Sequence, residues 1–367
     1  MIDESVLFNQ LQKIETPLFV DNMHERIRIR EYWHACVVEK ISREVLQKNT
    51  QKILSRWTDE LGFKQKIEPL SEYQIVAIDG SQIYPDRHEG INVALLNTGG
   101  ICLSYGEQES QVQFFSTPEI LCENCENSGD NESQTAAFVD CKRHECELRS
   151  GLEYVKDRCA CAQENKTVCV LFDGSLIFWH LENNPKLADL FFSRYCSVIE
   201  RLRETDVLCA WYTSLPNSRD LVHIAQAHAQ HEINLFSVCD CDVLEFWLQK
   251  HERTQVFEST GAHIEKYPVF MRPHFFYVHT GAEIARIEIP AWCVHDQEQI
   301  NLISRIIIDQ CVKGDGYPIS CAHAHEQVVV HQRDRVYFQR LVYELASRHD
   351  MPITRSRKLI KKRSLGV

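Results

Sequence analysis

Two stretches decide how this chain is read: Tyr73-Gln-Ile-Val-Ala-Ile-Asp79-Gly-Ser81 and Thr167-Val-Cys-Val-Leu-Phe-Asp173-Gly-Ser175. Each is a continuous apolar run, the pattern of a strand buried on both faces, and each closes on the same Asp-Gly-Ser. The chain therefore delivers two carboxylates at the carboxyl ends of two buried strands. In an α/β sheet that edge is where ligands gather, and a glycine after each acid permits a sharp turn or close approach of a substrate.

Working outward, Ile91–Asn97 and Ile101–Tyr105 read as two more strands around Gly99-Gly100, completing an antiparallel meander with the first stretch. The polar, acidic segment Ser116–Ser133 reads as a loop, and a helical pattern runs from Thr135 to about Cys161. After the second stretch, a helix over Leu187–Arg203, a strand over Val207–Tyr212 and a helix begun near Ser218 continue the strand–helix alternation of an α/β fold. Phe275–Trp292 reads as two strands turning at Gly281, followed by two helices, Glu298–Lys313 and Ser320–His349. Upstream, apolar positions spaced by three and four in Val6-Leu7-Gln10-Leu11-Ile14 and Val37-Ile41-Val45-Leu46-Ile53-Leu54 predict a helical N-terminal arm. The expected organisation is that arm over 1–70, one α/β domain over 71–350 and a basic tail over 351–367.

Forty basic against fifty-two acidic side chains leave a net charge of −12, so overall charge does not explain attraction to a nucleic acid. A polyanion partner needs a local basic patch or bound cations; the densest basic run is Arg355-Ser-Arg357-Lys358-Leu-Ile-Lys361-Lys362-Arg363 in the tail. Apolar runs such as Val168–Phe172 and Ile306–Ile308 fall far below the roughly 18–20 residues that span a bilayer, and Met1–Lys13 lacks a secretion signal, so a cytoplasmic protein without a membrane partner is expected. The sixteen cysteines are scattered along the chain and are expected to be reduced. Cys122 and Cys125 form the one true C-x-x-C, with Cys141 and Cys146 five apart downstream; that is poor chelating geometry, and structural zinc is the weaker reading.

Two carboxylates sharing a small space raise each other's pKa unless a cation sits between them, so a hard divalent metal is the natural companion of Asp79 and Asp173. The bland reading makes both Asp-Gly pairs turns. A third carboxylate is offered by the preceding helix as Glu145, Glu147 or Glu153. Glu147 is preferred because Arg143, four residues earlier, shares its helix face and can orient the acid or hold a phosphate; Glu153 is its main rival. His323 and His325 are two apart and so point to different faces of a helix, with at most one reaching a given site. Beside that site, Tyr212 could stack on a base and Arg219 could contact a strand.

These residues resemble the motifs of the NurA-type nuclease family. Val76-Ala-Ile-Asp79-Gly-Ser resembles its first motif, Val170-Leu-Phe-Asp173-Gly-Ser-Leu176 its second, and Gly316-Tyr-Pro…Ala324-His325 its C-terminal one. Tyr212-Thr-Ser-Leu-Pro216-Asn-Ser-Arg219 and Arg286-Ile-Glu288-Ile-Pro290-Ala-Trp292 fit between them, so the resemblance runs from about Ile75 to Val330. It implies a ribonuclease-H-like mixed sheet flanked by helices, with Asp79, a helical Glu, Asp173 and His325 around manganese or magnesium. It also implies a DNA end-processing nuclease, a 5′–3′ exonuclease or single-strand endonuclease, acting as a dimer with a hexameric HerA-type translocase. In the chemistry such a cluster performs, Asp79 would bridge two cations, Asp173 and Glu147 would complete their shells, and His325 would ligate one or move a proton. The alternative is an inactive subunit that keeps the fold and binds DNA or docks the translocase.

Overall fold

The computed structural model describes the chain except residues 1, 15–22, 42–52, 54, 59, 87–89, 91, 107–109, 123–134, 160–165, 230–237 and 352–367. The N-terminal segment forms helices α1 (Glu4–Lys13) and α2 (Met23–Val38), then two short strands, β1 (Ser55–Arg56) and β2 (Lys64–Lys66). Helix throughout 1–70 is thus corrected. Ser55 and Arg56 pair with Ser259 and Glu258, and Lys64–Lys66 pair with Glu252–Thr254, so an open sheet edge captures these residues whatever their local spacing.

Strands β3 (Tyr73–Ile83), β4 (Val93–Tyr105) and β5 (Gln111–Cys122) form the meander. Here too the sequence reading needs correction, because β4 runs straight through Gly99-Gly100 and the third strand is β5. The two glycines are flat-sheet contacts, not a turn: a Cβ at Gly100 would lie 1.8 Å from the Ala77 carbonyl oxygen, and one at Gly99 2.1 Å from that of Phe115. The segment expected as a loop from Ser116 accordingly begins as strand, up to Cys122.

Helix α3 (Ala136–Tyr154), capped by Thr135, leads to β6 (Val168–Asp173). There follow α4 (Trp179–Glu182), α5 (Pro185–Arg203), β7 (Leu208–Thr213), α6 (Asp220–Ala229), α7 (Asp240–Leu244), β8 (Glu252–Thr254), β9 (Phe257–Ser259), and the hairpin β10 (Pro273–His279) and β11 (Ile284–Pro290). Three helices end the described chain, α8 (Gln297–Lys313), α9 (Ile319–Val328) and α10 (Gln332–Arg348). Two were expected. The last breaks because the Val328 carbonyl is taken by Ser81 Oγ and by Asn97 Nδ2 (2.8 Å), while His331 and Asp334 start a new helix with a capping box.

The path through the sheet is β1-β9-β10-β11-β7-β6-β3-β4-β5, with β8 bridging β2 and β10. Strands β3, β6 and β7 run parallel at its centre, and β4, β5 and β11 run antiparallel to their neighbours. The result is an α/β fold with a central mixed sheet flanked by helices, preceded by an N-terminal segment of two helices and two short strands. Alternate residues of the central strands feed two cores. Val76, Ile78, Val170, Phe172 and Trp211 pack beneath α3 and α5, whereas Ile75, Ala77, Cys169, Leu171 and Ala210 pack beneath α8 and α9. The valine, leucine, isoleucine and phenylalanine side chains among these each contribute about 1.5–3 kcal/mol when fully removed from water. A third cluster joins Ile29 and Trp33 of α2 to Leu221, Val222 and Ala225 of α6, whereas α1 buries no residue.

Candidate functional site

The parallel register sets the first two acids side by side. Ile78 pairs with Phe172, so Asp79 and Asp173 are the next residues on adjacent strands, and alternation sends both to the α8/α9 side. Asp79 is not the end of its strand: β3 continues to Ile83 along β4, after β6 has stopped. The two glycines therefore serve different purposes. Gly174 takes φ +118° as the chain leaves β6, a conformation that disfavours other residues. Gly80 stays in the strand and makes room, since a Cβ there would meet Glu147 Oε1 at 2.6 Å and Arg143 Cγ at 3.1 Å.

Through that gap Glu147 reaches the acids from α3, on the opposite face of the sheet. It is buried, and it is held by Arg143 Nη1 at Oε1 and by His144 Nδ1 at Oε2 (3.4 Å). Burial by itself would raise its carboxyl; the His144 hydrogen bond and the Arg143 charge outweigh that and keep it below the usual range. Arg143 also donates to the Gly80 carbonyl at 3.4 Å. Of the rivals on this helix, Glu153 points to solvent beside Arg149 (3.6 Å), and Glu145 pairs with Lys142 (2.8 Å) and Arg194 (3.8 Å).

Helix α9 closes the site from the other side. His325 Nδ1 lies 2.8 Å from Asp79 Oδ2, while Asp79 Oδ1 accepts the Gly80 N–H at 2.7 Å. His323 turns away to Glu326 (3.2 Å), as two positions apart on a helix require. Just before α9, Tyr317 donates to Asp173 Oδ2 at 2.9 Å. Burial, with Asp79 and Glu147 close by, raises the Asp173 carboxyl above its ordinary value, against the opposing effect of that hydrogen bond.

Two residues of this arrangement escaped sequence reasoning. Tyr317 sat inside the quoted Gly-Tyr-Pro motif without a role. Glu288 clamps the second Asp-Gly-Ser: its Oε2 accepts from Ser175 Oγ (2.8 Å) and the Leu176 N–H (2.7 Å), and its Oε1 from Arg286 Nε (2.8 Å). Opposite charges two apart on an otherwise apolar strand were the available signal. Two expected contacts change. Tyr212 is fully buried, bonded to Glu283 (2.8 Å) and edge-on to Tyr317, so it offers no face to a base. Twelve described cysteines are free, as expected, with Cys122 disulfide-bonded and so not a free thiolate for zinc; Cys141 and Cys146 are buried in α3, and Cys125 lies outside the described residues, as does the basic tail. Arg219 lies just ahead of α6, with its Nε donating to the Val238 carbonyl (3.1 Å).

The donor set suits a hard cation in kind: three carboxylates from three elements lie within electrostatic reach of one another, and Asp173 is raised partly by the other two. Among the described residues, no group of three or more His, Cys, Asp or Glu side chains is already arranged as a ligand set. Glu147 faces Arg143 and His144, and Asp79 faces His325, so admitting a cation requires those side chains to turn.

A model of the NurA domain matches residues 73–330. Comparison with curated proteins returns no significant relative. Among solved structures, the chain is similar to a crystal structure of NurA, at 13% identity and TM-score 0.45, over 77% of this chain and 90% of that one. It is also similar to an Argonaute of A. aeolicus (10% identity, TM-score 0.28, 72% of this chain and 29% of that one) and to the ribonuclease H LC9-RNase H1 (10%, TM-score 0.22, 45% and 76%). No helix among the described residues is long and apolar enough to cross a membrane.

Proposed function

The chain belongs to the NurA family, a nuclease family, and from that premise we propose that it is a metal-dependent deoxyribonuclease with Asp79, Glu147, Asp173 and His325 at its centre. The observation that supports this reading is the convergence of Asp79, Glu147 and Asp173 from β3, α3 and β6, with His325 bonded to the first. Manganese or magnesium, as one or two ions, would be held by Asp79, Asp173 and Glu147, and such ions supply Lewis-acid polarisation of a phosphoryl oxygen and an acidified water. The chain's own residues do the rest. Tyr317 fixes the Asp173 carboxylate, and the Gly80 N–H fixes that of Asp79. His325, turned from Asp79 when a cation is admitted, would bind that cation or carry a proton to or from a reacting oxygen. Arg143 is within reach of both the acids and an incoming phosphate, where a planar guanidinium binds in two-pronged fashion.

By resemblance, the substrate is a DNA end, cut 5′ to 3′ or within single strands, and the partners are a second copy and a HerA-type hexameric translocase in the cytoplasm. End-labelled linear DNA, single- and double-stranded, digested with manganese, magnesium or EDTA, tests the core of the proposal. Manganese-dependent cutting by the wild type, lost in Asp79→Ala and Asp173→Ala, is the expected outcome. Intact DNA under every condition, including with a matched translocase, leaves the second reading: a non-catalytic subunit that binds DNA or docks the translocase. One observation favours that reading, namely that Arg143 and His144 already occupy the Glu147 carboxylate and His325 that of Asp79.

A further inference from the structure

A cavity of about 430 Å³ opens where the loops that follow β6 and β7 meet. Its walls include Ile177 and Trp179 after β6, Asn217, Arg219 and His223 after β7, and His263 from the segment that follows β9. Ile177 is four residues past Asp173, which puts it no more than about 14 Å away. At about 3.4 Å per stacked nucleotide, that is a span of about four nucleotides along one strand. Trp179 is 48% exposed, unusual for an indole next to a core, and it rests on the His263 ring with centroids 5.0 Å apart. His263 is in turn steadied by Glu182 at 3.4 Å. The one carboxylate in the wall, Asp220, is paired with Arg286 at 2.8 Å, a guanidinium it shares with Glu288; Arg219, bonded through Nε among the described residues, has outer N–H donors to offer a phosphate.

From this geometry we infer that the cavity is a subsite for one unpaired base of a nucleic-acid strand whose phosphate runs past Asp173. Trp179 and His263 give the stacking face and Arg219 binds the adjoining phosphate. The inference rests on the nuclease reading for the placement of the strand and goes beyond it by fixing the strand state: a base can enter only when it has left its duplex partner, so the strand is single at this point. It also moves the stacking role from Tyr212, which is buried, to Trp179.

Anisotropy of a short labelled DNA single strand, in EDTA and again in calcium so that it stays intact, tests the subsite on the full chain. Trp179→Ala should bind about ten-fold more weakly, as loss of one stacked base implies, and Trp179→Phe should recover most of that loss. One abasic residue scanned along the strand should reproduce the loss at a single position, and should add nothing there in Trp179→Ala. Arg219→Ala should reduce the salt slope of binding by about one. Equal affinity for wild type and Trp179→Ala, an abasic effect undiminished in Trp179→Ala, or no binding by the wild type in either buffer overturns the subsite. Cutting of the same strand with manganese is scored separately. Binding lost through Trp179 in a protein that never cuts keeps the subsite and removes the nuclease reading, whereas cutting with Trp179 silent does the reverse.

Discussion

At Gly80 a missing side chain decides whether three acids can meet. Its hydrogen occupies the space where a methyl group would press on Glu147, so Gly80→Ala leaves a well-paired strand but pushes Glu147 off its position. The expected result is a fold with a nearly unchanged melting curve and a cleavage rate down by about ten-fold or more, because displacement by about 1 Å is enough to cost 100-fold in a well-organised site. The same contact makes Glu147, not Glu153, the acid to test. Glu147→Gln should lower metal-dependent cleavage by about 100-fold or more, several kcal/mol of charge stabilisation being at stake. Glu153→Gln, altering a solvent-facing carboxylate 3.6 Å from Arg149, should leave cleavage near the wild-type rate. Equal losses in the two variants would remove the geometric case for Glu147.

Helix α9 is the element on which the site depends, because it carries His325 on its last turn and Tyr317 just ahead of its first. What holds its far end is the Val328 carbonyl, which accepts from Ser81 of β3 and Asn97 of β4. Removing one donor leaves the other, so Asn97→Ala should cost only about 1 kcal/mol in denaturant unfolding. Its effect on cleavage should be larger, about ten-fold, since the carbonyl clamp sets where His325 lies against Asp79. A loss of cleavage no greater than the loss of stability implies would show that α9 is held elsewhere. Strand β6 is steadied in a comparable way at its exit, where Glu288 of β11 takes both Ser175 and the Leu176 N–H.

Over the whole molecule the cysteines follow burial, not motif spacing. Twelve described cysteines are free, and ten of them are buried. Burial drives their thiols upward, Cys141 to about 11 and Cys36, Cys146, Cys196, Cys293 and Cys311 to about 12, so thiolate is scarce at neutral pH. Brief alkylation of the native protein should therefore modify Cys239 first, since it is half-exposed and the hydrogen bond with Cys241 lowers its thiol while raising that of Cys241, with the ten buried thiols appearing only in denaturant. Mass spectrometry of the labelled peptides reads the order directly; early labelling of Cys141 or Cys146 would mean that α3 opens in solution. The net charge of −12 belongs to the same scale: any hold on DNA would have to come from local positive features and not from the overall charge.

The sequence by itself determined the strands that carry Asp79 and Asp173, because a continuous apolar run bounded by Asp-Gly is legible without knowing its neighbours. It likewise determined the hairpin at Gly281 and the helix with Arg143 and Glu147 on one face, all products of local periodicity. What tertiary structure decided were contacts between segments distant in the chain. Parallel pairing of Ile78 with Phe172 set the two acids abreast, and the gap at Gly80 admitted Glu147 from the opposite layer. The sheet edge drew residues 55–56 and 64–66 into strands that helical spacing did not forecast. Tyr212 and Trp179 show the difference most plainly. Tyr212 lies within a parallel strand and Trp179 opens the helix after one; packing against Tyr317 and Glu283 buries the first, while the second stays half open to solvent, because burial depends on which elements pack above a residue and not on its own sequence.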